Sequence, residues 1–531
     1  MLNDNKFNPI TMKLVSTFLF FISCFLGQSQ NVFQKAFGGI GNENAFDAKQ
    51  TLDGGYILTG WTYSFGTTAN SIYVIKTNSM GSVLWTSAIS QDCGGCSNNS
   101  GRATVLLQDT SYAVVGQRNT LTSFHTNLIK LQKNGDTSWV KSFSLNDGVS
   151  GNSLKQTSDG GFIIGCITWD VASGNANDFA VIKTDSLGDI LWSKTYSEAQ
   201  PQYLWDILTT SDGGLLLVGE RGDPLLVNDN QYYLIKTNSI GDTLWTKTYA
   251  SPGYTFNRLY SAIQTNDGGY FLTGFSDGFG AGDKDIFVVK TDSNGALLWS
   301  QTFSTPQYDE ARMGVELIGG DIIITGYSDT TSYIIKMDNT GNFQWMKRLG
   351  FNALNSVSST SDGGVVLCGN TTILGAGIGD VYLVKTDSLF NAGCSEQSST
   401  ILATMVTSIT TSGNASPQVL NNGALSVPSA TAISSGAIQT DICYTGISSY
   451  SLENFSFVIS PNPSLGIFNI VSSKEFSKIE IYNSLGEIIY SKAVNSKQEI
   501  INLTSHSKGI YFIRLHKDNK IIKSEKLIIT E

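Results

Sequence analysis

Aromatic and charged residues gather between the apolar runs in the middle of the chain: Trp169, Asp170, Tyr203, Trp205, Arg221, Asp223, Asp229, Tyr254, Arg258, Asp277, Asp283, Asp285, Tyr308, Glu310 and Arg312. Rings stack on sugar faces and carboxylates accept from hydroxyls or hold calcium, so this mixture suits a sugar or a sugar-calcium ligand. From it we take Trp169, Tyr203, Trp205, Arg221, Tyr254, Arg258, Asp309, Glu310 and Arg312 as the candidate ligand-binding set. Ordinary polar loops carry the same residue types, so composition alone is a weak signal.

Sharper chemistry is hard to find. The adjacent carboxylates Asp309 and Glu310 offer the two acids a glycosidase needs. No GxSxG, P-loop or HExxH pattern is present. Of the three histidines, His506 and His516 stand near the C-terminus. A Ser-His-Asp site would therefore rest on His125. The run SDGFGAGDKD at 276–285 has three Asp but lacks the order and closing Glu of a calcium loop. No catalytic residue, metal ligand or cofactor is assigned; calcium is the one ion the acidic loops suit.

These residues are carried by a repeat. KTNSMGSVLW, KTDSLGDILW, KTNSIGDTLW and KTDSNGALLW begin at Lys76, Lys183, Lys236 and Lys290, with looser copies at Leu131, Lys336 and Lys385. A second phrase, TLDGGYILTG at Thr51, recurs from Thr157, Thr210, Thr265 and Thr360, and in weaker form from Leu107 and Leu317. Each occurs seven times. The repeat tryptophans, Trp85, Trp139, Trp192, Trp245, Trp299 and Trp345, are 54, 53, 53, 54 and 46 residues apart.

Each unit reads as four short strands joined by Asp-Gly and Ser-x-Gly turns, which supply the positive φ that tight hairpins need. Four-strand units of this length predict an all-β fold, a seven-bladed β-propeller over residues 30–394. The seventh unit lacks its last strand. Residues 32–37 match that strand, so pairing of the two ends closes the ring and removes open edges. The repeated phrases resemble the tryptophan-docking repeat of quinoprotein-like propellers, which implies kinship of fold. The DGG and TDSxG turns fall on one face of such a ring. The longer, diverse connections fall on the other, where binding is expected.

The chain has 531 residues and a net charge of −10. Residues 454–531 carry 10 Lys/Arg against 7 Asp/Glu, a charge of +3, which leaves −13 for the rest. So acidic a body argues against nucleic acid as a partner. Lys13, the apolar run 14–26 and GQSQ predict a signal peptide over residues 1–29, with Met12 as the start. Thirteen residues are too few to span a bilayer, which needs about 20. No later run is long enough for a transmembrane helix. Export permits disulfides. Cys93 with Cys96, and Cys394 with Cys443, are the candidates, while Cys166 and Cys368 sit in apolar runs as buried thiols.

Residues 395–453 contain neither Lys nor Arg and read as a Ser/Thr/Ala-rich linker, with room for strands of its own. About seven alternating strands follow in 454–531, suiting a small Ig-like β-sandwich. The PNP of Pro461, Asn462 and Pro463, then Gly466, IYNSLGEIIY, GIYFIRL and a Lys-rich last strand resemble the type A C-terminal sorting domain of the type IX secretion system. The resemblance implies a Gram-negative bacterium, contact with that machinery through 454–531, and delivery to the outer-membrane surface or the medium. The expected function is a surface or secreted module binding a glycan or protein. The rivals are an extracellular polysaccharide lyase or hydrolase, and a structural surface component.

Overall fold

The computed structural model describes residues 31–530, apart from 67–69, 91–97, 120–122, 146–147, 171–174, 224–225, 253–254, 282, 330, 351, 374, 394–395, 400–401, 406–409, 414–417, 422–424, 428–430, 435–437, 445–456, 484–486 and 518–519. All regular structure in the described residues is β. Six units pair four consecutive strands antiparallel, and a seventh pairs three. Their first strands are Glu43–Gln50, Asn98–Leu106, Gly148–Gln156, Gln202–Thr209, Asn257–Gln264, Asp309–Glu316 and Asn352–Ser359. Each first strand contacts the next, and the seventh returns to the first, so they line a closed circuit. The seventh unit takes its fourth strand from the other end of the chain: Phe33–Gly38 pairs with Asp380–Lys385, as the sequence predicts. Burial is divided among seven apolar clusters, one between each pair of neighbouring units.

The two repeated phrases meet in one ion pair per unit. Lys76, Lys130, Lys183, Lys236, Lys290, Lys336 and Lys385, all on third strands, reach Asp53, Asp109, Asp159, Asp212, Asp267, Asp321 and Asp362 of the first hairpin at 2.7–3.0 Å. The Thr of TLDGG caps the same carboxylate, as Thr210 does to Asp212 at 2.6 Å. The first Gly takes positive φ, 78° at Gly54. The second leaves room for the ammonium: a Cβ on Gly55 would stand 2.6 Å from Lys76 Nζ and 2.1 Å from Thr77 O. The Asp is thus more than a turn former.

The Trp recurs because it docks on the next unit. The Gly of the following TDSxG turn approaches its ring so closely that a Cβ on Gly295 would lie 2.9 Å from Trp245. Gly135, Gly188, Gly241 and Gly341 meet Trp85, Trp139, Trp192 and Trp299 likewise. The series closes with substitutes. Trp345 packs on Phe390, and Phe33 takes the Trp place against Gly81.

Residues 395–453, expected as a linker, supply a fifth strand to every unit. Glu396–Ser399, Leu402–Met405, Thr410–Gly413, Gln418–Asn421, Leu425–Val427 and Thr431–Ser434 pair antiparallel with the fourth strands of units six, five, four, three, two and one. Ile438–Tyr444 then pairs with Phe33–Gly38 of unit seven. The segment makes one circuit against the chain's own direction, a belt on seven outer edges.

Cys166 and Cys368 are buried free thiols, and burial pushes Cys166 up to about 12. Cys93, Cys96 and Cys394 lie outside the described residues, as do 1–29 and Tyr254; Cys443 lies opposite Gln34 in the belt.

Beyond the belt, five strands rather than about seven form one antiparallel sheet: Phe457–Ser460, Ile467–Tyr482, Ile488–Asn502, Gly509–Lys517 and Lys520–Ile529. Bulges interrupt the second at Val471–Phe476 and Phe476–Lys478. One apolar cluster, including Phe468, Ile479, Ile513 and Leu527, lies beneath it. The PNP motif pins the last strand, since Asn462 Oδ1 accepts from Ile528 N at 2.9 Å and its Nδ2 donates to Lys526 O at 2.6 Å.

Candidate functional site

Each first strand carries a β-bulge at the same place, leaving one residue opposite nothing on its partner strand. The seven are Phe46, Arg102, Asn152, Trp205, Tyr260, Arg312 and Asn355. A bulge re-aims its side chain and is a common device beside binding sites. Here all seven line one cavity of about 190 Å3, with Asp47, Lys49, Lys155, Asp206 and Ser261. A glycine within the second strand, opposite the bulge, permits it. A Cβ on Gly60, Gly219, Gly274, Gly326 or Gly369 would stand 1.8–2.0 Å from a carbonyl of the bulged strand.

Units four to six make the aromatic and charged side of this mouth. Trp205 and Tyr260 meet edge to face at 5.8 Å. The Arg312 guanidinium lies 4.1 Å over Tyr260 and pairs with Glu310. Glu310, fully buried, also accepts from Tyr308 at 2.5 Å and Tyr260 at 3.3 Å. Arg258 bonds both oxygens of buried Glu220, at 2.9 and 3.1 Å, and lies 5.4 Å over Trp205. Burial raises Glu220 above the usual carboxylate range despite Arg258. Lys284 caps the cluster, 4.7 Å over Phe275 and 4.9 Å over Tyr308. Cations on rings at these distances hold both groups in place. Across the cavity Arg102 lies 4.4 Å over Phe46, and burial with repulsion from Arg312 lowers it to about 10.

The structure therefore brings together Trp205, Arg258, Glu310 and Arg312 of the predicted set. They stand on strands rather than in loops. Tyr203, one register step above the bulge, pairs in its strand with Glu220. Arg221 is turned aside, bound to Glu198 at 2.9 Å and Gln200 at 3.0 Å. Trp169 stacks on Phe124 at 4.5 Å. Asp309 is buried and locks its loop through Thr305 N at 2.6 Å and Oγ1 at 2.7 Å. Phe46, Arg102, Asn152, Tyr260 and Asn355 are not singled out by sequence; the glycine repeated within each second strand is their available signal.

Successive strand residues face opposite ways, so Asp309 and Glu310 do not form a working acid pair. His125 Nε2 lies 2.8 Å from Ser123 Oγ, but burial and Arg118 lower the ring's pKa, where an orienting carboxylate would raise it. Among the described residues no three His, Cys, Asp or Glu side chains are grouped to hold a metal ion. In the 276–285 run, Asp277 accepts from Phe256 N at 2.6 Å and Asp285 is fully buried.

Residues 458–530 match the family described as the secretion system C-terminal sorting domain, which implies export to the cell surface or the extracellular space. No curated protein matches the chain. Among solved structures, it is similar to PorZ, a surface component of the type IX secretion system of Porphyromonas gingivalis, with 10% identity, a TM-score of 0.30, and coverage of 92% of this chain and 81% of that one. A luciferin-regenerating enzyme gives 10% identity and a TM-score of 0.33, covering 56% of this chain and 95% of that one. A prolyl endopeptidase gives 11% and 0.41, covering 81% and 55%. These likenesses are too distant to transfer a function. Among the described residues no helix is long and apolar enough to cross a membrane.

Proposed function

We propose that residues 30–394 form a seven-bladed β-propeller, exported by the type IX route through the tail, and that it serves outside the cell as a binding module for a glycan or protein. The observation carrying this reading is the ring of seven bulges. They aim seven different side chains into one cavity, while the turns at the Asp–Lys end repeat the same residues. The aromatic wall of Trp205 and Tyr260 suits the face of a sugar ring or an aromatic side chain.

The test is retention of the purified protein on a polysaccharide and surface-protein panel, with new reducing or unsaturated ends followed together. Retention without product is expected. Trp205→Ala should abolish it, whereas Trp169→Ala, which alters the stack on Phe124 and packing away from the cavity, should not. Product formation would make the protein an enzyme, and no retention at all would favour a structural surface role.

A further inference from the structure

The charges around the cavity balance, with one exception. Asp47 pairs with Lys49 at 3.1 Å, Asp206 with Lys155 at 3.4 Å, and Arg312 with Glu310. Among the described residues Arg102 has no carboxylate partner. Its Nη2 donates to Gln117 at 3.2 Å, its plane covers Phe46, and its buried Nε–H has no acceptor. Arg312 Nε–H, on the opposite wall, also lacks one. Arg118 and Arg348 share that deficit but stand on a second and a fourth strand, away from the cavity. The amide nitrogens are occupied, since Asn152 Nδ2 donates to Leu204 O at 2.7 Å and Asn355 Nδ2 to Ala45 O at 2.8 Å. Two buried guanidinium donors therefore await an acceptor, and a buried donor left unpaired is costly.

The rest of the lining restricts what that acceptor belongs to. Phe46, Trp205 and Tyr260 present ring faces or edges to the same space. The cavity, of about 190 Å3, admits a ligand on the scale of a sugar ring. We propose that the central cavity receives a single carboxylate-bearing sugar residue, its carboxylate held by Arg102 with Arg312 opposite, its ring held among Phe46, Trp205 and Tyr260. This rests on the binding reading above and names its ligand class. An uncompensated arginine in a body of charge −13 is explained if the ligand completes the site. An anion is then attracted locally while the surrounding acidic surface disfavours long polyanions.

Calorimetric titration of the full chain with D-glucuronate and with D-glucose isolates the carboxylate, because the two differ chiefly there. Glucuronate should bind at least about tenfold tighter, the size of one charge-assisted hydrogen bond. Arg102→Gln should remove that advantage, while Arg102→Lys should keep part of it. If Arg102→Gln misfolds, the uncharged methyl ester of glucuronate gives the same test on the native protein: it should bind no tighter than glucose. Oligouronates distinguish the source, since the acidic surface should make a polymer end bind less well than the free sugar. Equal binding of both sugars, failure of glucuronate to bind, or an Arg102→Gln protein with native melting and full glucuronate affinity overturns the proposal. Retention of a neutral glycan that depends on Trp205 but not on Arg102 would leave the binding reading standing and remove only the anion.

Discussion

Each of the seven four-strand units has two edges, and the protein treats them oppositely. The outer edge is regular and is sealed by the belt of residues 396–444. The inner edge is bulged and left open to a cavity, and it presents seven side chains of five residue types. Between the edges, the hairpins repeat one ion pair seven times. Where the residues repeat, the geometry is serving the ring. Where the geometry repeats and the residues differ, the ring is serving something else.

The largest effect should come from the outer edge. An exposed strand edge is a template for pairing with other chains. Deleting 396–444 opens seven at once. We expect the deleted protein to aggregate or to melt far below the full chain by light scattering and calorimetry. A soluble, unshifted melt would show the belt to be ornamental and would dissolve the contrast between the edges.

Next come the hairpins. The Lys385 side chain is 1% exposed, and apart from Asp362 its ammonium bonds Thr386 O. Asp362→Ala strands that charge, at a cost of about 3 kcal/mol by denaturant unfolding. Acid should act on the same pairs with less force. At Asp109 and Asp159 the hydroxyl bonds of Ser111 and Thr157 lead in holding the carboxyl at about 2, with Lys130 and Lys183 adding to them. At Asp212 and Asp267 burial pushes upward, and the Thr, glycine and Lys bonds overcome it, again to about 2. A depressed carboxyl stabilises above its unfolded pKa of about 3.9, and the gain is lost as pH falls through the folded value. Stability should therefore drop between about pH 4 and pH 2. These carboxylates are more than half exposed, so each contributes less than about 1 kcal/mol. Glu220 and Asp309, raised by burial, act with the opposite sign above that window. A stability curve flat from pH 4 to 2 would discount the pairs.

Much of the ring was legible because identical turns leave identical residues. The glycines, the Asp of each hairpin and the Trp spacing announced seven units, and the missing strand of the seventh pointed to residues 32–37. The Asp–Lys pairing was legible too but was overlooked: every third strand keeps its Lys, even where DGG becomes GGD at Gly319, Gly320 and Asp321. The belt could not be read. Its Ser/Thr/Ala alternation signals strands, but their partners lie up to about 400 residues away, and nothing in a pattern of period two names a partner. The site was half read. Trp205 and Arg312 drew attention by residue type, yet they were placed in loops, because a bulge is a backbone event that no particular side chain declares.

The smallest effect on stability is expected at the inner edge, and it separates the two edges most sharply. Tyr260→Asn installs at one bulge the residue that units three and seven already use, at Asn152 and Asn355. It gives up the Arg312 cation–π contact at 4.1 Å, the bond to Glu310 at 3.3 Å and the ring contacts with Trp205 at 5.8 Å and Phe275 at 6.0 Å, the ring contacts together worth about 0.5–1.5 kcal/mol. The first is worth about 0.5–1 kcal/mol and the second, long for a hydrogen bond, less than the usual 1 kcal/mol or so. Glu310 keeps Arg312 and Tyr308, so no buried charge is orphaned. The bulge itself survives, because Gly274 across the strand, not Tyr260, permits it. The protein should lose no more than about 2.5 kcal/mol while ligand retention falls sharply, the reverse of Asp362→Ala, which should cost stability and spare retention by whatever remains folded. If Tyr260→Asn instead unfolds the ring, the inner residues are structural after all, and their diversity reflects seven separate packing problems rather than one shared ligand.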